Sequence, residues 1–224
     1  MRATIVLCGI WLLCSPLLAQ EQPAAKPFEK WEKAIAAFEA KDAKSPPAKQ
    51  GMVFVGSSSI VKWDLNQSFP KLPVINRGFG GSQLADSVHF APRIVLPYEP
   101  KIVVLYAGDN DLASGKTPEQ VAADFNAFAK LLHDKLPETK LIYIAVKPSV
   151  ARWKLIEKVR ATNKLIAARC AQDEKRLVFL DIDPLMLTAS GDPDPALFVK
   201  DGLHLSPAGY ERWNKALLPL LEGK

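Results

Sequence analysis

The chain has 224 residues, of which 48% are hydrophobic and 24% charged, and its formal net charge is +5. This length suits one α/β domain with a substantial core, and we find neither an internal repeat nor a low-complexity tract. Basic and acidic residues alternate along the chain, which is the ordinary pattern of a solvated surface. We therefore expect no nucleic-acid partner.

Residues 1–19 have the pattern of an export signal. Arg2 precedes an apolar run from Ile5 to Leu18, and a polar stretch follows Ala19. The pattern predicts a signal peptide cleaved near Ala19 and a periplasmic or secreted protein; an uncleaved anchor is the alternative. Nothing later approaches about 18 consecutive apolar residues, so we expect no stable membrane insertion after cleavage. Cys170 is the one cysteine outside this segment, which excludes an intramolecular disulfide, and we interpret it as a core residue.

Residues 20–50 read as a polar tail followed by one amphipathic helix. Between Phe28 and Lys44, apolar residues such as Trp31 and Ile35 recur at helical spacing among charges. The helix is predicted to end before Pro46-Pro47 and to pack on the flank of the domain.

Residues 51–224 alternate short apolar runs with longer periodic segments, as one domain of strands and helices. The predicted strands are Met52–Val55, Val74–Asn76, Ile102–Tyr106, Leu141–Ala145 and Leu177–Leu180. The clearest predicted helices are Thr117–Leu136, Val150–Asp173 and Pro207–Leu221, and a shorter one is predicted at Gln83–Val88. This alternation indicates a mostly parallel sheet covered on both faces, with the functional site beyond the carboxyl ends of the strands.

Small hydroxyl residues follow the first predicted strand, in the run Gly56-Ser57-Ser58-Ser59-Ile60. A serine on a strand-to-helix turn is exposed to substrate, and the start of the helix supplies free backbone N–H groups for an oxyanion. Serine is also a common helix cap, so this run alone does not indicate catalysis.

Two further loops follow the second and third strands. The loop Asn76–Ser82 is rich in glycine but lacks the spacing of a nucleotide-binding fingerprint. Its glycines either let the backbone approach a ligand closely or form a tight turn. In Gly108-Asp109-Asn110-Asp111, the Asn110 amide is a neutral donor suited to an oxyanion. The flanking carboxylates either cap the next turn or bind a divalent cation.

The last loop, Asp201-Gly202-Leu203-His204, lies before the final helix. A carboxylate at this spacing can accept the imidazole N–H and leave the other ring nitrogen to take a proton from serine. His133 lies at the charged end of a helix, and His89 has no acidic residue placed to orient it. His204 is therefore the candidate base.

In this order, the four loops resemble the SGNH hydrolase family, also called GDSL-type esterases and lipases, from Val53 to Leu221. The resemblance implies a three-layer α/β/α sandwich around a mostly parallel, flavodoxin-like five-stranded sheet. It implies that Ser58 is the nucleophile, with Asp201 and His204 as its acid-base pair. The oxyanion hole is then formed by Ser58, Gly81 and Asn110.

One departure concerns the opening motif, where Ser57 stands in place of the aspartate of Gly-Asp-Ser-Leu. Ser57 and Ser59 therefore remain alternative nucleophiles. We expect no metal and no cofactor, because hydrogen bonds fill the polarising role and no His/Cys cluster has ligand spacing.

The predicted activity is hydrolysis of carboxylic esters, with short acyl or acetyl groups on a small molecule or a glycan. Lys147 and Trp153 follow the fourth strand and are predicted to lie near the site, where Trp153 would stack on a sugar, line an acyl pocket or pack in the core. Two alternatives belong to other classes. One is a catalytically silent glycan- or lipid-binding module, and the other is a cation-dependent phosphohydrolase using Asp109, Asp111 and Asp201.

Overall fold

The computed structural model describes residues 28–223, so the predicted signal peptide lies outside the described residues. The strands are β1 (Met52–Gly56), β2 (Val74–Gly78), β3 (Ile102–Tyr106), β4 (Lys140–Ile144) and β5 (Leu177–Leu180). The helices are α1 (Glu29–Lys44), α2 (Ser58–Val61), α3 (Leu65–Ser68), α4 (Leu84–Ile94), α5 (Asp109–Ala113), α6 (Pro118–Lys135), α7 (Ile156–Cys170) and α8 (Pro207–Glu222). Short 3-10 turns lie at Leu96–Tyr98, Trp153–Leu155, Pro184–Met186 and Pro195–Leu197.

The five strands form one sheet in the order β2-β1-β3-β4-β5, and every pairing is parallel. In the centre of the sheet, Phe54 pairs with Asn76 on one side and with Val104 on the other. The strands are apolar because both faces are covered, which is the usual condition of a parallel sheet. The predicted five-stranded α/β architecture is confirmed.

Successive side chains of each strand point to opposite faces and build two separate cores. One core packs alternate strand residues, such as Val103, against α1, α4, α6 and α7. The other packs the intervening residues, such as Val104, against α2 and α8, and includes the fully buried Trp213. The molecule is therefore the three-layer sandwich that the sequence predicts, and all carboxyl ends of the strands open on one edge.

The start of α7 and the end of α4 differ most from the predicted helix boundaries. α7 begins at Ile156, because residues 147–155 form a loop and a 3-10 turn after β4. α4 continues past the predicted end at Val88 to Ile94 and passes through Pro92. Burial of Phe90 and Ile94 offsets the hydrogen bond that this proline removes.

The predicted packing of α1 on the flank of the domain is confirmed. Asp42 of α1 accepts a hydrogen bond from Arg77 of β2 at 2.6 Å, and the Arg77 side chain is only 5% exposed. Across residues 28–223, the helices lack the combination of length and apolar character that a membrane span requires.

Candidate active site

The turn between β1 and α2 is shaped by a close approach of two strands. Gly56 has a φ of 134°, and a Cβ at this position would lie 1.9 Å from the carbonyl oxygen of Tyr106. Glycine is the residue that tolerates both conditions. The turn delivers Ser58 to the first position of α2, where its backbone N–H meets no acceptor within the described residues.

Burial distinguishes the three adjacent serines. Ser57 and Ser59 are each 1% exposed, whereas Ser58 is partly exposed. The Ser58 Oγ lies 2.9 Å from Nε2 of His204. By contrast, the Ser59 Oγ accepts a long hydrogen bond of 3.5 Å from Lys147. Of the three hydroxyls, that of Ser58 is both accessible and next to a base.

The loop after the short Pro195–Leu197 turn orients the imidazole. Asp201 Oδ2 lies 2.6 Å from Nδ1 of His204, and Asp201 Oδ1 accepts the backbone N–H groups of Leu203 and His204 at 2.8 and 2.9 Å. The hydrogen bond from the imidazole, with help from the two backbone N–H groups, holds the pKa of Asp201 well below its ordinary value. Asp201 is therefore ionised near neutrality and can accept the Nδ1–H of His204, and in that tautomer Nε2 faces the Ser58 hydroxyl as an acceptor.

The glycine-rich loop lies beside Ser58. Phe79 N–H donates to the carbonyl of Gly56 at 2.9 Å, which ties this loop to the end of β1. A Cβ built on Gly80 would lie 3.9 Å from the Cβ of Ser58. Gly81 has a φ of 76°, and its N–H meets no acceptor in the part of the chain that the structure describes.

Asn110 of α5 completes this group from the third strand. Its Nδ2 donates to the carbonyl of Ser82 at 3.0 Å, and its Oδ1 accepts a hydrogen bond from Arg152 at 3.0 Å. One Nδ2 hydrogen remains for a ligand. Through the Ser82 contact, the Asn110 side chain is fixed against the loop that carries Gly81.

The sequence predicts Lys147 near the site but not the buried charged network that it forms with Asp109, Tyr106 and Arg152. Lys147 is 2% exposed, and its Nζ donates to the Tyr106 hydroxyl at 2.9 Å and to Asp109 Oδ2 at 3.2 Å. Arg152 Nη1 lies 3.2 Å from the same Asp109 oxygen. Burial raises the pKa of Asp109, but the two cations outweigh burial and hold this pKa below its ordinary value. The sequence signal for Arg152 was its place in the loop after a parallel strand.

The carboxylates proposed for a divalent cation are engaged at separate places. Asp109 pairs with Lys147 and Arg152, whereas Asp111 accepts from Lys116 at 2.9 Å. Asp201 is bound to His204. Across residues 28–223, no three His, Cys, Asp or Glu residues form a group that could hold a metal ion. Neither carboxylate of α5 caps that helix, because its N-cap is Gly108.

The other residues that the sequence analysis names make contacts typical of a structural role. His133 hydrogen-bonds the carbonyl of Thr139 at 3.1 Å, and His89 stacks on Phe28 with 3.8 Å between ring centroids. Trp153 is partly exposed and lies beneath the guanidinium of Arg160. Cys170 is buried in the core with a free thiol, and burial raises its pKa to about 11.

Two curated relatives are similar over most of the chain. The human platelet-activating factor acetylhydrolase IB subunit alpha1 is 29% identical over 218 residues, which cover 90% of each chain. The Bos taurus isoamyl acetate-hydrolyzing esterase 1 homolog is 29% identical over 175 residues, which cover 69% of this chain and 70% of that protein.

Among solved structures, a GDSL-like lipase from Bacteroides thetaiotaomicron has a similar fold. Its TM-score is 0.66 at 20% identity, and the match covers 88% of this chain and 98% of that chain. At this identity the likeness supports the fold alone.

The model of the GDSL-like lipase/acylhydrolase family matches residues 55–212. The match begins in β1, just before the turn that carries Ser58, and ends in α8, just after the loop that carries His204. It therefore includes all four loops at the carboxyl edge of the sheet. The chain belongs to the GDSL-like lipase/acylhydrolase family, and it is an ester hydrolase of the SGNH type.

Proposed function

We propose that the chain hydrolyses short acyl esters, acetyl esters above all, with Ser58 as nucleophile and with His204 and Asp201 as its acid-base pair. The observation that supports this most directly is the 2.9 Å contact between Ser58 Oγ and His204 Nε2, with Asp201 bound to the opposite ring nitrogen. A nucleophile, a base and an orienting carboxylate in hydrogen-bond sequence are what acyl transfer requires.

In the proposed reaction, Ser58 Oγ attacks the acyl carbonyl carbon as its proton passes to His204 Nε2. The tetrahedral intermediate places its negative oxygen among the N–H groups of Ser58 and Gly81 and the Nδ2 of Asn110. The intermediate collapses, the C–O bond to the alcohol breaks, and His204 returns the proton to the departing alkoxide. Water then attacks the acyl-enzyme by the same route and releases the carboxylic acid.

The preference for acetyl groups draws on the curated relatives. Both names, an acetylhydrolase subunit and an isoamyl acetate-hydrolyzing esterase, describe removal of an acetyl group from different alcohols. We therefore propose an acetyl ester as the substrate of this chain. The alcohol part of that ester is a small molecule or a glycan. The predicted signal peptide would place this activity in the periplasm or outside the cell.

The decisive test compares serine variants on a series of nitrophenyl esters. Wild type, Ser58→Ala, Ser57→Ala and Ser59→Ala are assayed on p-nitrophenyl acetate, butyrate, octanoate and phosphate. Loss of a nucleophile that works as a unit with its base should lower kcat by at least about 10⁴-fold in Ser58→Ala. Ser57→Ala is the matched control, because the buried Ser57 hydroxyl has no hydrogen-bond partner within residues 28–223.

Each rival predicts a different outcome. A silent binding module gives the same background rate in wild type and Ser58→Ala. A cation-dependent phosphohydrolase cleaves the phosphate ester and stops when a chelator is added. Activity that survives in Ser58→Ala and disappears in Ser57→Ala or Ser59→Ala would transfer the nucleophile to that neighbour. Faster turnover of octanoate than of acetate would contradict the acetyl preference alone.

A further inference from the structure

Arg152 connects Asn110 with the buried ion pair of Asp109 and Lys147. Its Nη2 donates to Asn110 Oδ1 at 3.0 Å, and its Nη1 lies 3.2 Å from Asp109 Oδ2. The side chain is 23% exposed, so the guanidinium is largely withdrawn from solvent. On its far side, the Asn110 amide donates to the carbonyl of Ser82 at 3.0 Å.

The direction of the Asn110 amide decides what it can do for an oxyanion. One end of an asparagine side chain is a donor and the other is an acceptor, and a half-turn about the last bond exchanges them. A guanidinium has donors only, so its contact with Asn110 exists only when Oδ1 faces Arg152. The same orientation points Nδ2 toward the carbonyl of Ser82, in the loop that carries Gly81. The opposite orientation would direct a carbonyl oxygen at the developing negative charge.

Arg152 is itself held in place from two sides. The Asp109 carboxylate that it faces is anchored by Lys147, whose Nζ lies 3.2 Å from the same oxygen. Next to Arg152, the backbone N–H of Ala151 donates to the carbonyl of Gly202 at 3.0 Å. The arginine loop is therefore joined both to α5 and to the loop that carries Asp201 and His204.

We propose that Arg152 is a positioning residue that fixes the donor orientation of the Asn110 amide in the oxyanion hole. This inference rests on the proposed function, since it assigns Arg152 a role in the same reaction. Arg152 acts through Asn110 and does not itself contact the reacting atoms. The inference goes beyond the predicted site, which contains Asn110 but not Arg152.

A double-mutant cycle on p-nitrophenyl acetate tests whether Arg152 acts through Asn110. Wild type, Arg152→Ala, Asn110→Ala and the double variant are compared by kcat and KM. Loss of one oxyanion donor costs about 100-fold to 1000-fold, so Arg152→Ala should lower kcat by about tenfold or more without exceeding that loss. KM should stay within about threefold, and in the Asn110→Ala background removal of Arg152 should change kcat by less than about twofold.

Arg152→Lys separates orientation from charge. Lysine keeps the positive charge but lacks the planar fork that reaches Asn110 and Asp109 together. We expect this variant to show most of the loss seen in Arg152→Ala. Full activity in Arg152→Lys would overturn the inference, and so would an equal fall in kcat on removing Arg152 with and without Asn110. A rise in KM at unchanged kcat would also overturn it, by assigning Arg152 to substrate binding.

A second measurement does not depend on turnover. In ¹⁵N-labelled protein, the side-chain NH₂ pair of Asn110 is assigned as the pair missing from Asn110→Ala. Arg152→Ala should shift or broaden this pair. Arg93→Ala is the matched control and should leave the pair in place, because Arg93 also bridges two side chains, Glu32 and Glu39, but joins α4 to α1.

An unmoved Asn110 pair in Arg152→Ala would overturn the inference whether or not the enzyme is active. Equal rates in wild type and Ser58→Ala would instead contradict the proposed function. The two failures are therefore distinguishable.

Discussion

Asp201 orients His204 from a single short loop, with one oxygen on Nδ1 and the other on two backbone N–H groups. An asparagine keeps the size of this side chain but can present its NH₂ to the ring, which permits the wrong imidazole tautomer. We expect Asp201→Asn to lower kcat on p-nitrophenyl acetate by about 10³-fold to 10⁴-fold. Its far-UV circular dichroism spectrum should match that of wild type. Asp192→Asn, in an exposed turn, is the control. A loss of less than about tenfold in Asp201→Asn would contradict the assigned role.

At the scale of the elements, the turn from β1 into α2 depends on how closely β1 approaches β3. Alanine at Gly56 would meet the Tyr106 carbonyl and would require a positive φ. We expect Gly56→Ala to lower the free energy of unfolding by about 3 kcal/mol or more, measured by urea denaturation. In Gly80→Ala the added Cβ would lie 3.9 Å from its nearest neighbour. The free energy of unfolding should therefore change by less than about 1 kcal/mol. Equal losses would show that strand approach is not what requires glycine.

For the whole molecule, the buried Asp109 links stability to pH. Because its pKa is lower in the folded protein than in an unfolded chain, it stabilises the fold above the ordinary carboxyl pKa of about 4. That contribution is lost as the pH falls through the lowered value. Asp109→Asn leaves the Lys147 charge without its carboxylate, so we expect a loss of about 3 kcal/mol at pH 7. The difference in free energy of unfolding between Asp109→Asn and wild type should become smaller below about pH 4, as urea titrations at several pH values would show.

Asp134→Asn provides the matched control for that comparison. It breaks an exposed ion pair with Lys130 on α6 and should change the free energy of unfolding by less than about 1 kcal/mol. Two results would contradict the stabilising role of the buried network. One is a loss of unfolding free energy in Asp109→Asn as small as that in Asp134→Asn, and the other is a loss that increases as the pH falls.

Most of the architecture was predictable, because buried strands and amphipathic helices leave periodic apolar patterns. The five predicted strands lie close to the observed ones, and the sandwich follows from their alternation with helices. The start of α7 is predicted too early: the helix-like pattern begins at Val150, but residues 147–155 form a loop and a 3-10 turn before the helix begins at Ile156. Local pattern does not report this loop, whose Ala151 N–H donates to the distant carbonyl of Gly202.

The sequence by itself determined the order of the four loops, and with it the family and the residues assigned to the candidate site. Tertiary structure decided which of three adjacent serines meets the imidazole, because Ser58 and His204 are 146 residues apart and the fold buries the hydroxyls of Ser57 and Ser59. It also decided that Arg152 faces Asn110. Burial and long-range hydrogen bonds depend on how distant segments pack, and the types of neighbouring residues do not encode that by spacing alone.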